Sequence, residues 1–177
     1  NRLAPIQASL IGHPETSGMN TIDYYISWKY FHAKHPDDEF TETVIQLEKL
    51  PLCYEFPKIK SQLKPVDFKL PKGAKIYFIP MLLFKLHPKF DLVIKRILES
   101  DPLNYIIIPK YCGLEKVLIR RLETCISQAA LTQLIIIPHL KKDAYFSLLQ
   151  QADVVLETFP FGGGNTILQA LAVGTPF

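Results

Sequence analysis

Val154-Val-Leu-Glu-Thr-Phe-Pro-Phe-Gly-Gly-Gly-Asn-Thr-Ile-Leu-Gln-Ala-Leu-Ala-Val-Gly-Thr-Pro176 joins a short apolar run, a triple-glycine loop and a helix-periodic segment. Val154, Val155 and Leu156 suit a buried strand, and Asn165 or Thr166 suits the N-cap of a helix over 167–173. Gly162, Gly163 and Gly164 between them let the backbone come close to a ligand. A helix N-terminus behind such a loop presents unpaired N–H groups and a partial positive charge, which suits a phosphate or pyrophosphate. The same pattern also makes a plain tight turn, so the rest of the chain has to decide between the two.

Immediately upstream, strand and helix alternate. Apolar runs at 75–80, 105–109, 134–138 and 154–157 are each followed by a helix-periodic stretch: 90–98, 114–126, 143–152 and the final helix. Near-continuous apolar strands in β-α units predict a parallel sheet covered on both faces, an α/β fold. In such sheets the ligand lies beyond the carboxyl ends of the strands, at the loops that open at Pro80, Pro109, Pro138 and Pro160. A dinucleotide fingerprint would place its glycines after the first strand and a third glycine where Ile167 stands, and a P-loop would need Gly-Lys-Ser/Thr. Neither fits. What remains is a late glycine loop gripping a phosphate in the second half of a two-lobed protein, as in sugar-nucleotide enzymes of the GT-B type.

Further toward the front, residues 57–72 carry prolines and lysines with few large apolar residues, which reads as a linker. Before it, 6–11 is a short strand running into the turn-rich Gly12-His-Pro-Glu-Thr-Ser-Gly18, and 21–28 and 44–50 are two more β-rich stretches. The expected organisation is 1–56, a linker over 57–72, and a second lobe over 73–177. His32 and His35 lie at i, i+3 beside Pro36 and three acids, a spacing that fits a solvated loop better than a metal site.

Twenty Lys and Arg against seventeen Asp and Glu leave +3, too weak and too scattered a charge to argue for nucleic acid or an acidic membrane. Cys53, Cys112 and Cys125 have no metal-ligand spacing, so buried thiols in a reducing compartment are expected, with no disulfide. No apolar run approaches the ~20 residues of a membrane span, and a soluble, cytoplasmic protein is expected. The start without methionine, and the end at Gly174-Thr-Pro-Phe177 where another apolar strand is opening, read as a fragment.

The motifs taken together resemble a family. Gly12-His-Pro-Glu-Thr-Ser-Gly18 followed by Ile22-Asp-Tyr-Tyr-Ile26 resembles the segment of protein O-GlcNAc transferases in which a Gly-x-Pro-x-Thr-Ser-Gly loop precedes an Asp-Tyr strand. Phe84-Lys-Leu-His-Pro88, Ala152-Asp-Val-Val-Leu156 and Phe159-Pro-Phe-Gly-Gly-Gly-Asn-Thr166, ending in Gly174-Thr-Pro176, look like its bacterial members and their adhesin-glucosyltransferase relatives. The resemblance implies a GT-B fold: the end of the first catalytic lobe, then the front of a Rossmann-like UDP-sugar-binding lobe. Tetratricopeptide repeats normally precede this region. It also implies a UDP-sugar donor, a protein acceptor and inverting sugar transfer, of GlcNAc or a hexose, with neither metal nor other cofactor.

Residue by residue, Lys85 matches a catalytic lysine that contacts the donor phosphates and stabilises the UDP leaving group. His139 and Leu140 match positions whose backbone holds the uracil, and Lys142 a lysine packed near the base. Tyr145 falls where some relatives have histidine, so its role stays open beside that of a core tyrosine. Gly163, Gly164, Asn165 and Thr166 match the pyrophosphate loop, and Ile11 and Gly12 match backbone next to the sugar. Gln169 stands where relatives usually place an acid that binds the ribose hydroxyls, and Met81 and Leu82 where many have a polar Gln or Asn. These departures keep an alternative open, a UDP-sugar-binding or scaffolding module without turnover.

Overall fold

Ile106, Ile107 and Ile108 are each 0% exposed, which requires a strand covered on both faces. Successive side chains of a strand point to opposite sides. Ile106 and Ile108 accordingly pack with Ile79, Leu86, Phe90, Ile94 and Leu122, whereas Ile107 packs with Phe78, Ile137, Leu148, Leu149 and Ala170. Full burial of each such side chain contributes roughly 1.5–3 kcal/mol.

The computed structural model describes residues 1–32, 36–55, 57–59 and 65–177, in two units, Asn1–Cys53 and Tyr54–Phe177. Part of the expected linker, 60–64, and His35 of the weighed histidine pair lie outside the described residues. The first unit is a parallel three-stranded sheet of β1 (Ala8–Leu10), β2 (Tyr24–Trp28) and β3 (Thr43–Leu47), in that order. Ala8 pairs with Tyr24, and Tyr24 with Thr43. Only the central strand is well covered, with Tyr25 at 3% and Ser27 at 1% exposure.

The second unit holds β4 (Lys75–Phe78), α1 (Asp91–Ser100), β5 (Asn104–Pro109), α2 (Glu115–Glu123), α3 (Gln128–Leu131), β6 (Leu134–Ile137), α4 (Lys142–Gln151), β7 (Val154–Val155) and α5 (Asn165–Ala172). All pairings in its sheet are parallel and the order is β6-β5-β4-β7. The chain moves outward from β4 through β5 to β6, then returns to lay β7 on the other side of β4. Right-handed crossovers in opposite directions put their helices on opposite faces. Side chains of α1, α2 and α3 therefore join the Ile106 and Ile108 layer, and those of α4 and Ala170 of α5 the Ile107 layer, while Ile167 in the first turn of α5 reaches the Ile106 and Ile108 side. The reversal leaves a switch point between β4 and β7, with a crevice beyond their carboxyl ends.

Three local expectations change. Except for β5, which gains Asn104, the strands of this sheet are shorter than the apolar runs, β7 being two residues long. A short helix, α3, was not anticipated; Ser127 caps it by accepting from the Ala130 N–H at 3.3 Å. The last helix starts at Asn165 rather than Ile167, with Gly164 at its N-cap and no side chain capping it. Its far end closes at Gly174, whose φ of +80° suits glycine.

Candidate functional site

The site is assembled from the loops after β4, β6 and β7. Past β4 the chain makes a 3-10 turn, Leu83–Lys85, anchored by the buried Leu83 and Leu86, before a second at Pro88–Phe90 leads into α1. Arg121 of α2 braces this turn by donating from Nη2 to the Leu86 carbonyl at 2.9 Å and to Asp91 Oδ1 at 2.9 Å, with its Nε 2.6 Å from Asp91 Oδ2. The turn carries Lys85 to the glycine loop, where its ammonium donates to the Gly162 carbonyl at 3.1 Å and stands 4.5 Å from the centre of the Phe161 ring.

Among the described residues the backbone N–H groups of Gly163, Gly164, Asn165 and Thr166 donate to no protein acceptor. Unpaired N–H groups at a helix start and an adjacent ammonium together suit an anion with more than one phosphate. A Cβ on Gly163 would collide with the terminal methyl of Met81 and come 2.8 Å from its sulfur, the far end of a flexible side chain that would have to swing aside. A Cβ on Gly162 would collide with the Glu157 carboxylate, whereas Gly164 faces open space.

Beyond β6, His139 and Leu140 form part of the wall of a cleft of about 70 Å³, with Pro80, Met81, Tyr111 and Tyr145. Lys142, at the start of α4, borders a larger hollow of about 480 Å³ together with Tyr54, Lys58, Tyr145 and Gln169. Tyr145 thus belongs to both. Its hydroxyl donates to Gln169 Oε1 at 3.0 Å. Burial, with a smaller contribution from Tyr54, pushes the phenol up to about 12 against a hydrogen bond from Thr166, so it stays a donor at neutral pH. The open role of Tyr145 therefore has a local answer: it ties α4 to the first turns of α5.

Ile11 and Gly12 lie in the first unit. The Ile11 N–H is engaged by the Ile26 carbonyl at 3.1 Å, and a Cβ on Gly12 would meet only the Leu10 carbonyl, at 3.6 Å. The loop that follows is held by two residues to which the sequence assigned no role. Tyr25 donates its hydroxyl to the His13 carbonyl. Glu42, 2% exposed, accepts from the Ser17 N–H at 2.9 Å, the Ser17 hydroxyl and the Thr16 hydroxyl at 2.5 Å. Burial alone would raise its pKa, but these hydrogen bonds outweigh it and bring it down to about 2. Among the described residues no three His, Cys, Asp or Glu side chains cluster as metal ligands, and no helix is long and apolar enough to cross a membrane. Cys53 and Cys112 are exposed rather than buried, and Cys125 is half-buried; all three are free thiols.

No protein-family model matches the chain. Over 99% of its length it is 30% identical to a probable UDP-N-acetylglucosamine–peptide N-acetylglucosaminyltransferase, SPINDLY, of Petunia hybrida, of which it spans 19%. Over 98% of its length it is 27% identical to a UDP-glucose:protein N-beta-glucosyltransferase of Actinobacillus pleuropneumoniae, of which it spans 28%. A solved mutant O-GlcNAc transferase of Thermobaculum terrenum shares the fold, with a TM-score of 0.80 at 22% identity over 98% of this chain and 33% of that one. The resemblance carried by the loops is thus borne out along the described chain: it is similar, from end to end, to a segment of the O-GlcNAc transferases and their glucosyltransferase relatives, with the α/β fold of their GT-B catalytic region.

Proposed function

We propose that this chain is the donor-gripping part of a UDP-sugar-dependent protein glycosyltransferase, which transfers GlcNAc or a hexose to protein side chains with inversion and without a metal. The observation that carries the reading is the Lys85 ammonium at the Gly162 carbonyl, beside the uncapped N-terminus of α5. Displacement of UDP from the anomeric carbon builds negative charge on the leaving diphosphate. Preorganised N–H groups and a lysine stabilise that charge without a metal, and loss of one such donor typically costs ~2.7–4 kcal/mol in the transition state.

In this reading His139, Leu140 and Lys142 receive the base, Gln169 the ribose, and Gly163, Gly164, Asn165 and Thr166 the pyrophosphate. Ile11 and Gly12 lie next to the sugar, residues 1–56 end the acceptor-side lobe, 57–72 link it, and 73–177 begin the donor lobe. Tetratricopeptide repeats in the parent chain and a cytoplasmic location go with it. A second reading, a UDP-sugar-binding module without turnover, draws on Met81, whose apolar side chain packs against Gly163, at a position where the family resemblance implies a polar Gln or Asn in many relatives.

Calorimetry on the protein in its full natural length, with EDTA present, tests the first reading. UDP should bind more tightly than UMP. Equal affinities would remove the diphosphate role, and a strict metal requirement would remove the metal-free mechanism. A transfer assay on the same protein separates an enzyme from a binding module.

A further inference from the structure

We propose that Phe161 is a positioning residue for Lys85: its ring face holds the ammonium at the glycine loop without neutralising it. The proposal rests on the donor-site reading and gives a part to a residue outside the glycine run itself.

Lys85 is half-buried, and among the described residues it forms no ion pair. Among those residues its charge meets two partners, the Gly162 carbonyl at 3.1 Å and the Phe161 ring at 4.5 Å from the centroid. A lysine on a four-carbon stem has many rotamers, and ordering it requires a partner. A carboxylate would order it but would also cancel the charge a diphosphate needs, and would repel that diphosphate. A ring quadrupole and a carbonyl dipole attract the cation while carrying no net charge.

The ring is itself held for this task. Thr158, 2% exposed, donates its hydroxyl to the Phe161 carbonyl at 2.8 Å, which fixes the backbone on which the ring is mounted. Phe161 is 47% exposed, so core packing does not account for an aromatic residue at this position. It differs in this from Phe78 and Phe90, at 0% and 2%.

The test compares UDP and UMP binding by calorimetry in the full-length protein and in Phe161→Leu, Phe161→Tyr, Lys85→Met and the Phe161→Leu/Lys85→Met double variant. Phe161→Leu should weaken UDP about three- to tenfold and leave UMP nearly unchanged, while Phe161→Tyr, which keeps the ring face, should bind as the parent does. In the Lys85→Met background Phe161→Leu should have no further effect. Unchanged UDP affinity in Phe161→Leu overturns the proposal. So does a loss shared equally by UMP, or one that persists without Lys85, since the ring would then act on the nucleotide or the fold directly. A parent protein that binds no UDP sinks the donor-site reading, and this proposal with it; a parent that binds UDP normally while Phe161→Leu is silent sinks this proposal alone.

Discussion

The Tyr145 hydroxyl donates to Gln169 Oε1 at 3.0 Å, joining α4 to α5 beside the hollow that both residues border. Oε1 thereby uses one of its two lone pairs, and in the proposed donor site Nε2 is the amide atom with both donors left for a ribose. Replacing Gln169 by Glu keeps an acceptor for Tyr145 and turns the other atom into a charged acceptor for ribose hydroxyls. Hydrogen bonds to charged groups contribute roughly 1.5–3 kcal/mol against about 1 for neutral ones. Repulsion of the diphosphate opposes this gain but falls off with distance and screening. Gln169→Glu is expected to tighten UDP binding by up to about tenfold, measured by calorimetry. Unchanged or weaker binding with the fold intact would show that position 169 does not face the ribose.

Lys85→Met tests the leaving-group role. Methionine keeps the apolar stem and removes the ammonium, and Gly162 is not fully buried, so its carbonyl can be solvated when the donor is lost. The preference for UDP over UMP should vanish, and turnover should fall about 10²–10³-fold, the effect of removing one donor to a developing oxyanion. Retained preference for UDP would assign the diphosphate to the α5 N-terminus alone.

Arg121 and Asp91 offer a stability test of the brace behind that lysine. Asp91 is 6% exposed, and Arg121 serves both its carboxylate and the Leu86 carbonyl. Breaking a buried pair from one side leaves an uncompensated charge. Arg121→Met should therefore lower stability by about 3–5 kcal/mol in urea denaturation, whereas Arg121→Met with Asp91→Leu should recover much of the loss. A single variant as stable as the parent would mean that water reaches Asp91 freely.

What was legible in the sequence follows from the range of the interactions. The Ile106–Ile107–Ile108 run and the helix periods around it announce a sheet covered on both faces, because burial of a strand is written in consecutive residues. Sheet order is not local: the return of β7 to the far side of β4 depends on which faces pack together. Lys85 and the glycine loop were both marked, yet they lie 77 residues apart in the chain and only the fold brings them into contact. Arg121 and Glu42 gave no signal, since a charged residue reads as solvated until its partners appear, 30 and 25 residues away. The helix start was misjudged because Asn165 is a good N-cap residue by type, whereas Gly164 takes that place in the fold.

Glu42 makes the first unit sensitive to acid. Its carboxyl is depressed from the ordinary 4.5 to about 2 by the hydrogen bonds from Ser17 and Thr16 that overcome burial. A group whose folded pKa lies below its unfolded value adds stability above the unfolded value and loses it as pH falls toward the folded one. The contribution of Glu42 is thus complete above about pH 4.5 and disappears toward pH 2. Asp23, drawn from 3.8 to about 2 by Arg2 and the Gln7 N–H, adds a second loss that begins lower. Trp28, the one tryptophan of the chain, lies in β2 and reports on this unit by fluorescence. Urea midpoints followed at Trp28 should fall steadily as pH is lowered from about 4.5 to 2. In Glu42→Gln, one amide oxygen can still accept but the amide nitrogen faces donors, so stability at neutral pH should drop by about 1–3 kcal/mol. The same variant should lose the decline between about 4.5 and 3.8 and keep only the lower limb due to Asp23. An acid limb in Glu42→Gln identical to that of the parent would show that the Thr16–Ser17 hydrogen bonds do not hold Glu42 ionised.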